Sequence, residues 1–227
     1  MYIKRRKFLK QMLTGSVVSI LGQPYVFSGN QYSLQYKNQI LPDGRLRLPK
    51  QQKVIRRLRP MGGERGLLNA QNFKLKVSGE VNKPLEINFD QLINLPQNQL
   101  VCDIHCVSGW SVMESQWQGV LLKTIAEMAS IKRSARFVIF ESEHGFTSNI
   151  SIQQALQSNV MIVHQHQGKR LLKRNGGPIR SLVPDLYFWK SAKWLKGIRF
   201  SKIDEPGYWE KRGYDNGADP WNDYYEI

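Results

Sequence analysis

The stretch "DIHCVSGWS", residues 103–111, puts a thiol, an imidazole, two hydroxyls and an indole within nine positions. The chain holds only two cysteines, Cys102 and Cys106. Beside a strand, a free thiol most often serves as a small buried hydrophobe. A Cys102–Cys106 disulfide would close a very short loop and restrain little of the unfolded chain. Zinc is poorly served, because Cys102, His105 and Cys106 are crowded and His144, His164 and His166 show no paired metal spacing. Beside the buried-thiol reading, the functional reading is a single thiolate ligand for a soft-ligand metal centre whose other ligands belong to a cofactor. In that reading His105 hydrogen-bonds beside the ligand and Trp110 walls a pocket; the bland reading of His105 is a satisfied surface histidine.

Two later stretches draw attention for their turn and charge content, "RNGGPIR" at 174–180 and "KSAKW" at 190–194. Taken singly, the first is a plain glycine turn and the second a solvated basic strand edge. The aromatic run "LYFWKSAKW" places Tyr187, Phe188, Trp189 and Trp194 mainly in core and rim.

The elements that must position these residues show in the hydrophobic periodicity. Phe73, Leu75 and Val77 alternate with polar residues, "GEVNKP" makes a turn, and Leu85, Ile87 and Phe89 alternate again, predicting a strand pair. Asp90 is placed to cap a short helix through "QLINL" that ends before Pro96. Leu100 to Ile104 is strand-like and leads into the cysteine segment, and a helix from about Leu121 to Ala129 follows. "ARFVIFES" reads as a buried strand with "GFTSNISI" as its partner, Ser151 caps a helix through "IQQALQ", and "VMIVH" is a strand. "QGKRLLKRNGGP" is hairpin-like, and "IRSLVP" and "WLKGIRF" are strands bracketing "DLYFWKSAK". Short strands and short helices without a βαβ rhythm predict an α+β fold in a single domain, 71–227, behind an extended lead-in at 31–70.

The 227 residues suffice for one generous domain, and 41% hydrophobic content supports an ordinary core. Two cysteines exclude a disulfide-stapled fold. The net charge of +15 implies an anionic partner of some kind without choosing among nucleic acid, lipid and phosphorylated ligands. Five of the cations, Lys4, Arg5, Arg6, Lys7 and Lys10, fall within residues 1–30, which contain no acidic residue. They precede a short apolar run from Met12 to Gly22, the layout of an export signal rather than of a folded element. "RRKFLK" resembles the twin-arginine signal that exports folded proteins, predicting a periplasmic protein, tethered to the membrane if the signal stays uncleaved. The alternative is a basic amphipathic helix or free basic tail.

The ordered set "HCVSGWS", "WQGV", "RNGGPIRSLVP", "YFWKSAKWLKGI" and "GYWEKRGYDNGADPW" resembles the molybdopterin-binding domain of the sulfite oxidase family, from about Phe73 onward. The resemblance is closest to its small bacterial members without a haem domain, related to a periplasmic protein-methionine-sulfoxide reductase subunit. It implies that Cys106 gives its thiolate to molybdenum and that the cofactor is Mo-molybdopterin. It implies further that Ser142, Asn175, Arg180, Ser191, Ala192 and Lys193 contact this cofactor. Arg180 and Lys193 suit charge-assisted hydrogen bonds to the pterin's phosphate, and backbone N–H groups around Ser191 and the Gly176–Gly177 turn suit close approach. The reductase's N-terminal contacts have no evident counterpart; Arg59 in "RRLRP" is the candidate replacement.

The expected function is therefore an exported molybdopterin-dependent oxidoreductase performing two-electron oxo-transfer on a small sulfur-type or related oxo substrate. No haem or iron–sulfur motif is present, so electrons pass to or from a separate partner, a membrane haem subunit or a soluble cytochrome. A counterpart of the family's C-terminal dimerisation domain is not seen, so a monomer is expected and sulfite is a disfavoured substrate. The rival readings are a non-catalytic domain with the same fold and a basic anion- or nucleic-acid-binding module. The second has no recognisable nucleic-acid motif beyond charge.

Overall fold

A computed structural model describes residues 34–61 and 65–222. The twin-arginine-type segment lies outside them. Among the described residues eleven strands form two sheets, and three short α-helices fall between strands along the chain. β1 (Lys53–Val54), β4 (Asn98–Cys106), β5 (Trp110–Leu121), β8 (Met161–His166), β9 (Lys169–Arg170) and β10 (Arg180–Leu182) make the six-stranded sheet. β2 (Lys74–Gly79), β3 (Leu85–Asn88), β6 (Phe137–Ser142), β7 (Thr147–Ser151) and β11 (Leu195–Ser201) make the other, in the order β3-β2-β11-β6-β7. The pairs are antiparallel except β1 with β5 and β2 with β11. This is the α+β class expected, with mixed sheets and few helices.

Periodicity locates most of these strands correctly. β2 alternates exposed and buried residues, so Leu75 and Val77 enter the larger core while the lysines face water. β6 and β7 pair as a hairpin with Phe137 opposite Ser151. The hairpin-like stretch is a tight turn at Gln167 and Gly168, both at positive φ, joining β8 to the two-residue β9.

The helices need one correction. α1 (Phe89–Asn94) is capped by Asn88, not Asp90. The Asn88 side chain accepts from the Gln91 N–H at 2.8 Å, and the Gln91 side chain accepts from the Asn88 N–H at 2.8 Å. Because that capping box closes two residues earlier than the sequence suggests, Asp90 falls inside the first turn, where a carboxylate meets the positive helix end. α2 (Leu122–Met128) lies within its expected span, and α3 (Ile152–Ala155) starts from a Ser151–Gln154 capping box.

β5 has no clear period in the sequence, and the structure shows why. It pairs with β1 at Trp110–Ser111, with β4 along most of its length and with β8 from Trp117 to Leu121. Neighbours on changing sides bury both faces near its ends, so hydrophobic alternation survives only in the middle. Gly119 sits where β5 and β8 shift register; a β-carbon there would lie 2.1 Å from the Ile162 carbonyl oxygen.

The lead-in is drawn into the fold. β1 adds to the six-stranded sheet, and Tyr36, Leu48, Val54 and Met113 form a small core of their own. The larger core joins residues of both sheets, including Val120, Ile162, Phe140 and Leu195.

Candidate active site

The C-terminal ends of β4 and β6, the start of β10 and the turns around them meet at a cleft of about 180 Å³. All seven residues singled out from the sequence line it: Cys106, Ser142, Asn175, Arg180, Ser191, Ala192 and Lys193. They come from five segments that only tertiary folding brings together.

Cys106 closes β4 and is 7% exposed. Its carbonyl accepts from the Gly109 N–H at 3.0 Å and from Gln52 Nε2 at 3.2 Å. Burial pushes its thiol pKa up, while hydrogen bonds from Ser108 and the charge of Arg59 pull the other way. In the protein alone the thiol therefore holds its proton at neutral pH, and a metal must displace it. Both cysteines are free. Four residues along one strand separate them by roughly 13 Å at about 3.3 Å per residue, beyond the Cα reach of a disulfide at about 7 Å.

Arg180 is 2% exposed and faces backbone carbonyls instead of an acid. Its guanidinium donates to Asn175 O at 2.9 Å, Ser191 O at 2.6 Å and, through Nε, Ser181 O at 3.3 Å. Among the described residues no carboxylate pairs with it, and burial lowers its pKa to about 9. The cation thus binds the "NGG" turn to the "KSA" segment and brings an uncompensated charge to the cleft.

The "KSA" segment departs from expectation in one respect. The Ser191 N–H donates to Phe188 O and the Ala192 N–H to Ser181 Oγ, at 3.2 and 2.7 Å. The Ser191 hydroxyl accepts from Val183 N at 2.9 Å. These backbone donors hold the loop's shape and do not point at a ligand, because a buried N–H takes the nearest acceptor available. Lys193 lies over the Trp194 ring at 4.2 Å and donates to the Met61 carbonyl. Burial, and Arg180 after it, depress its pKa to about 8. Gly176 is at φ 100, and a β-carbon there would lie 2.8 Å from the Lys193 side chain, so the turn needs glycine to pack this closely.

Two buried oxygens on the cleft wall, Ser142 Oγ and Asn175 Oδ1, have no hydrogen-bond partner among the described residues. Buried polar atoms are nearly always paired, so two orphans lining one cleft mark a place where a ligand's polar groups belong.

Other lining residues escaped the sequence reading. Phe188, Trp189 and Trp194 belong to the cleft rather than to core and rim alone, joined by Phe146, Trp209 and Tyr214. Trp209 and Tyr214 lie in the "GYWEKRGYDNG" stretch, whose aromatic density was the available signal. Arg174 is a further lining residue not foreseen, whereas Arg59, which also lines the cleft, is the candidate replacement contact named from the sequence. Trp110 does not: it is 1% exposed and stands edge-on behind Phe188, with ring centres 6.3 Å apart. His105 does not reach the cleft either, because strand alternation turns it away from Cys106. It is 2% exposed, its Nδ1 lies 2.8 Å from Ser111 Oγ, and burial lowers its pKa to about 4.

Comparison with known proteins places the chain in a family. The chain is 42% identical over 149 residues to uncharacterized oxidoreductase YuiH of Bacillus subtilis, covering 66% of this chain and 75% of that one. It is 28% identical over 159 residues to the protein-methionine-sulfoxide reductase catalytic subunit MsrP of Campylobacter jejuni, spanning 53% of that relative's length and 63% of its own. The fold matches the sulfane dehydrogenase SoxCD of Paracoccus pantotrophus with a TM-score of 0.58 at 16% identity, over 82% of this chain and 55% of that one. The oxidoreductase molybdopterin binding domain matches residues 63–209, a span that contains Cys106, Ser142, Asn175, Arg180, Ser191, Ala192 and Lys193 but not Arg59, and the chain belongs to that family of molybdopterin-binding oxidoreductases.

Proposed function

We propose that this enzyme binds one Mo-molybdopterin in the cleft, with Cys106 as the protein's ligand to molybdenum, and transfers an oxo group to or from a small sulfur-type or related oxo substrate. The observation that carries the reading is the convergence of Cys106, the cations Arg180 and Lys193, and the two orphaned oxygens of Ser142 and Asn175 in one cleft. These residues fit the group. A pterin offers ring N–H donors to orphaned oxygens, and a terminal phosphate suits cations. The bound cofactor supplies the two-electron redox chemistry.

The chain's own residues perform the rest. Cys106 gives up its proton to become a ligand, and Arg180 and Lys193 hold negative charge whose attraction is strengthened by burial. Phe146, Trp189, Trp209 and Tyr214 make an apolar wall that excludes water from part of the cleft and orients a small substrate. No strong base needs to be recruited from this wall.

We assign residues 71–227 to the catalytic unit, 31–70 to a lead-in that supports it, and 1–30 to a twin-arginine-type export signal. The protein then acts in the periplasm as a monomer, exchanging electrons with a membrane haem subunit or a soluble cytochrome and binding no nucleic acid. The order of basic and apolar residues in 1–30 supports export. The names of the reductase and dehydrogenase relatives support sulfur-type substrates.

The test is metal analysis of the full chain purified from a host competent in cofactor synthesis. The expected result is about one molybdenum per chain, the stoichiometry of a single thiolate-ligated centre, lost in Cys106→Ala. Full metal and activity in that variant would remove Cys106 from its role. A screen of sulfoxides, N-oxides and sulfite with artificial donors and acceptors then finds substrate and direction.

A further inference from the structure

Behind Cys106, on the side away from the cleft, a chain of four side chains and one carbonyl runs through the protein. His105 Nδ1 lies 2.8 Å from Ser111 Oγ, Ser111 Oγ donates to Gln52 Oε1 at 3.1 Å, and Gln52 Nε2 donates to the Cys106 carbonyl at 3.2 Å. The polarity is determined throughout. A carbonyl only accepts, so the Gln52 amide must turn its nitrogen to Cys106 and its oxygen to Ser111. The single Ser111 proton is then spent on Gln52, which leaves His105 to donate from Nδ1. The far end is closed by Trp221, whose ring meets His105 edge-on with centres 5.1 Å apart and whose Nε1 donates to Leu46 O at 2.6 Å.

Gln52 is delivered by the backbone beside it. Lys53 N donates to Gly109 O at 2.9 Å and Ile55 N to Ser111 O at 2.8 Å, locking the lead-in against the turn that follows Cys106. The Cys106 carbonyl, with Gly109 N–H as its second donor, has both acceptor sites filled from different segments. Its peptide plane, and with it the direction of the Cα–Cβ bond that carries the sulfur, cannot rotate without breaking one of them. Gln52 and Trp221 both lie outside the residues 63–209 that match the family profile.

We propose that Gln52 is the positioning residue for the Cys106 sulfur, and that the lead-in and the C-terminal segment act as a brace that sets this thiolate's direction from behind. The inference rests on Cys106 being the molybdenum ligand only for its consequence, since the brace itself concerns the thiol whether or not metal is bound. A supporting shell of this kind tunes a metal centre by orienting the ligand atom.

Gln52→Glu is the sharpest test: it keeps size and the acceptor for Ser111 but removes the donor to Cys106. Gln52→Ala removes both, and Ser111→Ala is the second route to the same loosening. In cofactor-free full-length protein, Cys106 alkylation by iodoacetamide should accelerate about fivefold in Gln52→Ala and in Gln52→Glu, the factor that the net worth of one hydrogen bond allows. Cys102 in the same chain is the internal control and should be unchanged. In metal-loaded protein the same variants should keep molybdenum while the Mo(V) electron paramagnetic resonance signal shifts. Unchanged Cys106 trapping and an unchanged signal in both Gln52 variants would overturn the brace. Absence of molybdenum from the wild type would instead defeat the proposed function, and the trapping rates would still decide the brace. Equal acceleration at Cys102 and Cys106 would mean general loosening and would also overturn it.

Discussion

The guanidinium carbon of Arg180 lies 4.0 Å from the centre of the Phe188 ring, and both side chains line the cleft. A planar cation stacked on a ring while its edges donate to three carbonyls is a role that lysine cannot copy. Arg180→Lys should therefore cost roughly 2–4 kcal/mol of stability, the loss of charged hydrogen bonds from a buried position. Urea unfolding of the cofactor-free protein measures this, and retention of molybdenum after gel filtration should fall with it.

Ser142 and Asn175 predict the opposite balance. Ser142→Ala removes a buried hydroxyl that satisfies nothing in the protein. The cofactor-free variant should be as stable as wild type or more stable, within roughly 1 kcal/mol. Its affinity for cofactor should nevertheless drop, read as faster molybdenum loss under dialysis. A large destabilisation without cofactor would show that the hydroxyl serves the fold.

Lys190 and Glu210 form an ion pair at 2.6 Å with side chains 1% and 2% exposed, beside Asn149 and Asn216. Lys190→Met leaves the Glu210 carboxylate buried without its cation, a loss of roughly 3–5 kcal/mol. Removing both charges with Lys190→Met and Glu210→Leu should recover much of it. A double-mutant cycle by chemical denaturation tests the coupling.

Gly119 is closed to any side chain by the Ile162 carbonyl. Gly119→Ala must push β5 from β8 and should destabilise by roughly 1–3 kcal/mol or more. The melting temperature reads the effect directly, and an unchanged value would mean that the two strands part easily.

His166, stacked against Trp117 and within 2.9 Å of Ser115 Oγ, has its pKa lowered from 6.5 to about 4, first by burial and then by Arg180. Between these values the unfolded chain binds a proton that the folded chain refuses. Stability must then rise with pH across this window and fall as pH drops from about 6.5 towards about 4. Melting temperatures at intervals across it should show the slope, and His166→Gln should flatten it, leaving the parts due to buried His105 and to His164, whose pKa burial also lowers.

Much of the fold was legible because local burial was one-sided. β2 and β3 present an apolar face at period two, β6 shows as a continuous apolar run, and α1 stops where Pro96 follows Leu95. β5 was not legible, since three partners along one strand erase its period. The cap at Asn88 was missed for a related reason: Asn88, Asp90 and Gln91 all suit a helix start, and backbone geometry chose among them.

The site divides along the same line. The ordered motifs and their resemblance to the sulfite oxidase family point to Cys106, Asn175, Arg180 and Lys193 as one site, and a thiol, cations and a glycine turn suit an anionic, sulfur-ligated group. Only the tertiary structure decides which of their atoms remain available. It occupies the Ser191 and Ala192 N–H groups within the loop, leaves oxygens of Ser142 and Asn175 unpaired, turns His105 away, and brings Gln52 behind Cys106. Hydrogen bonding is the reason: each donor is claimed by whichever acceptor folding places within about 3 Å, and that neighbour is seldom close in sequence.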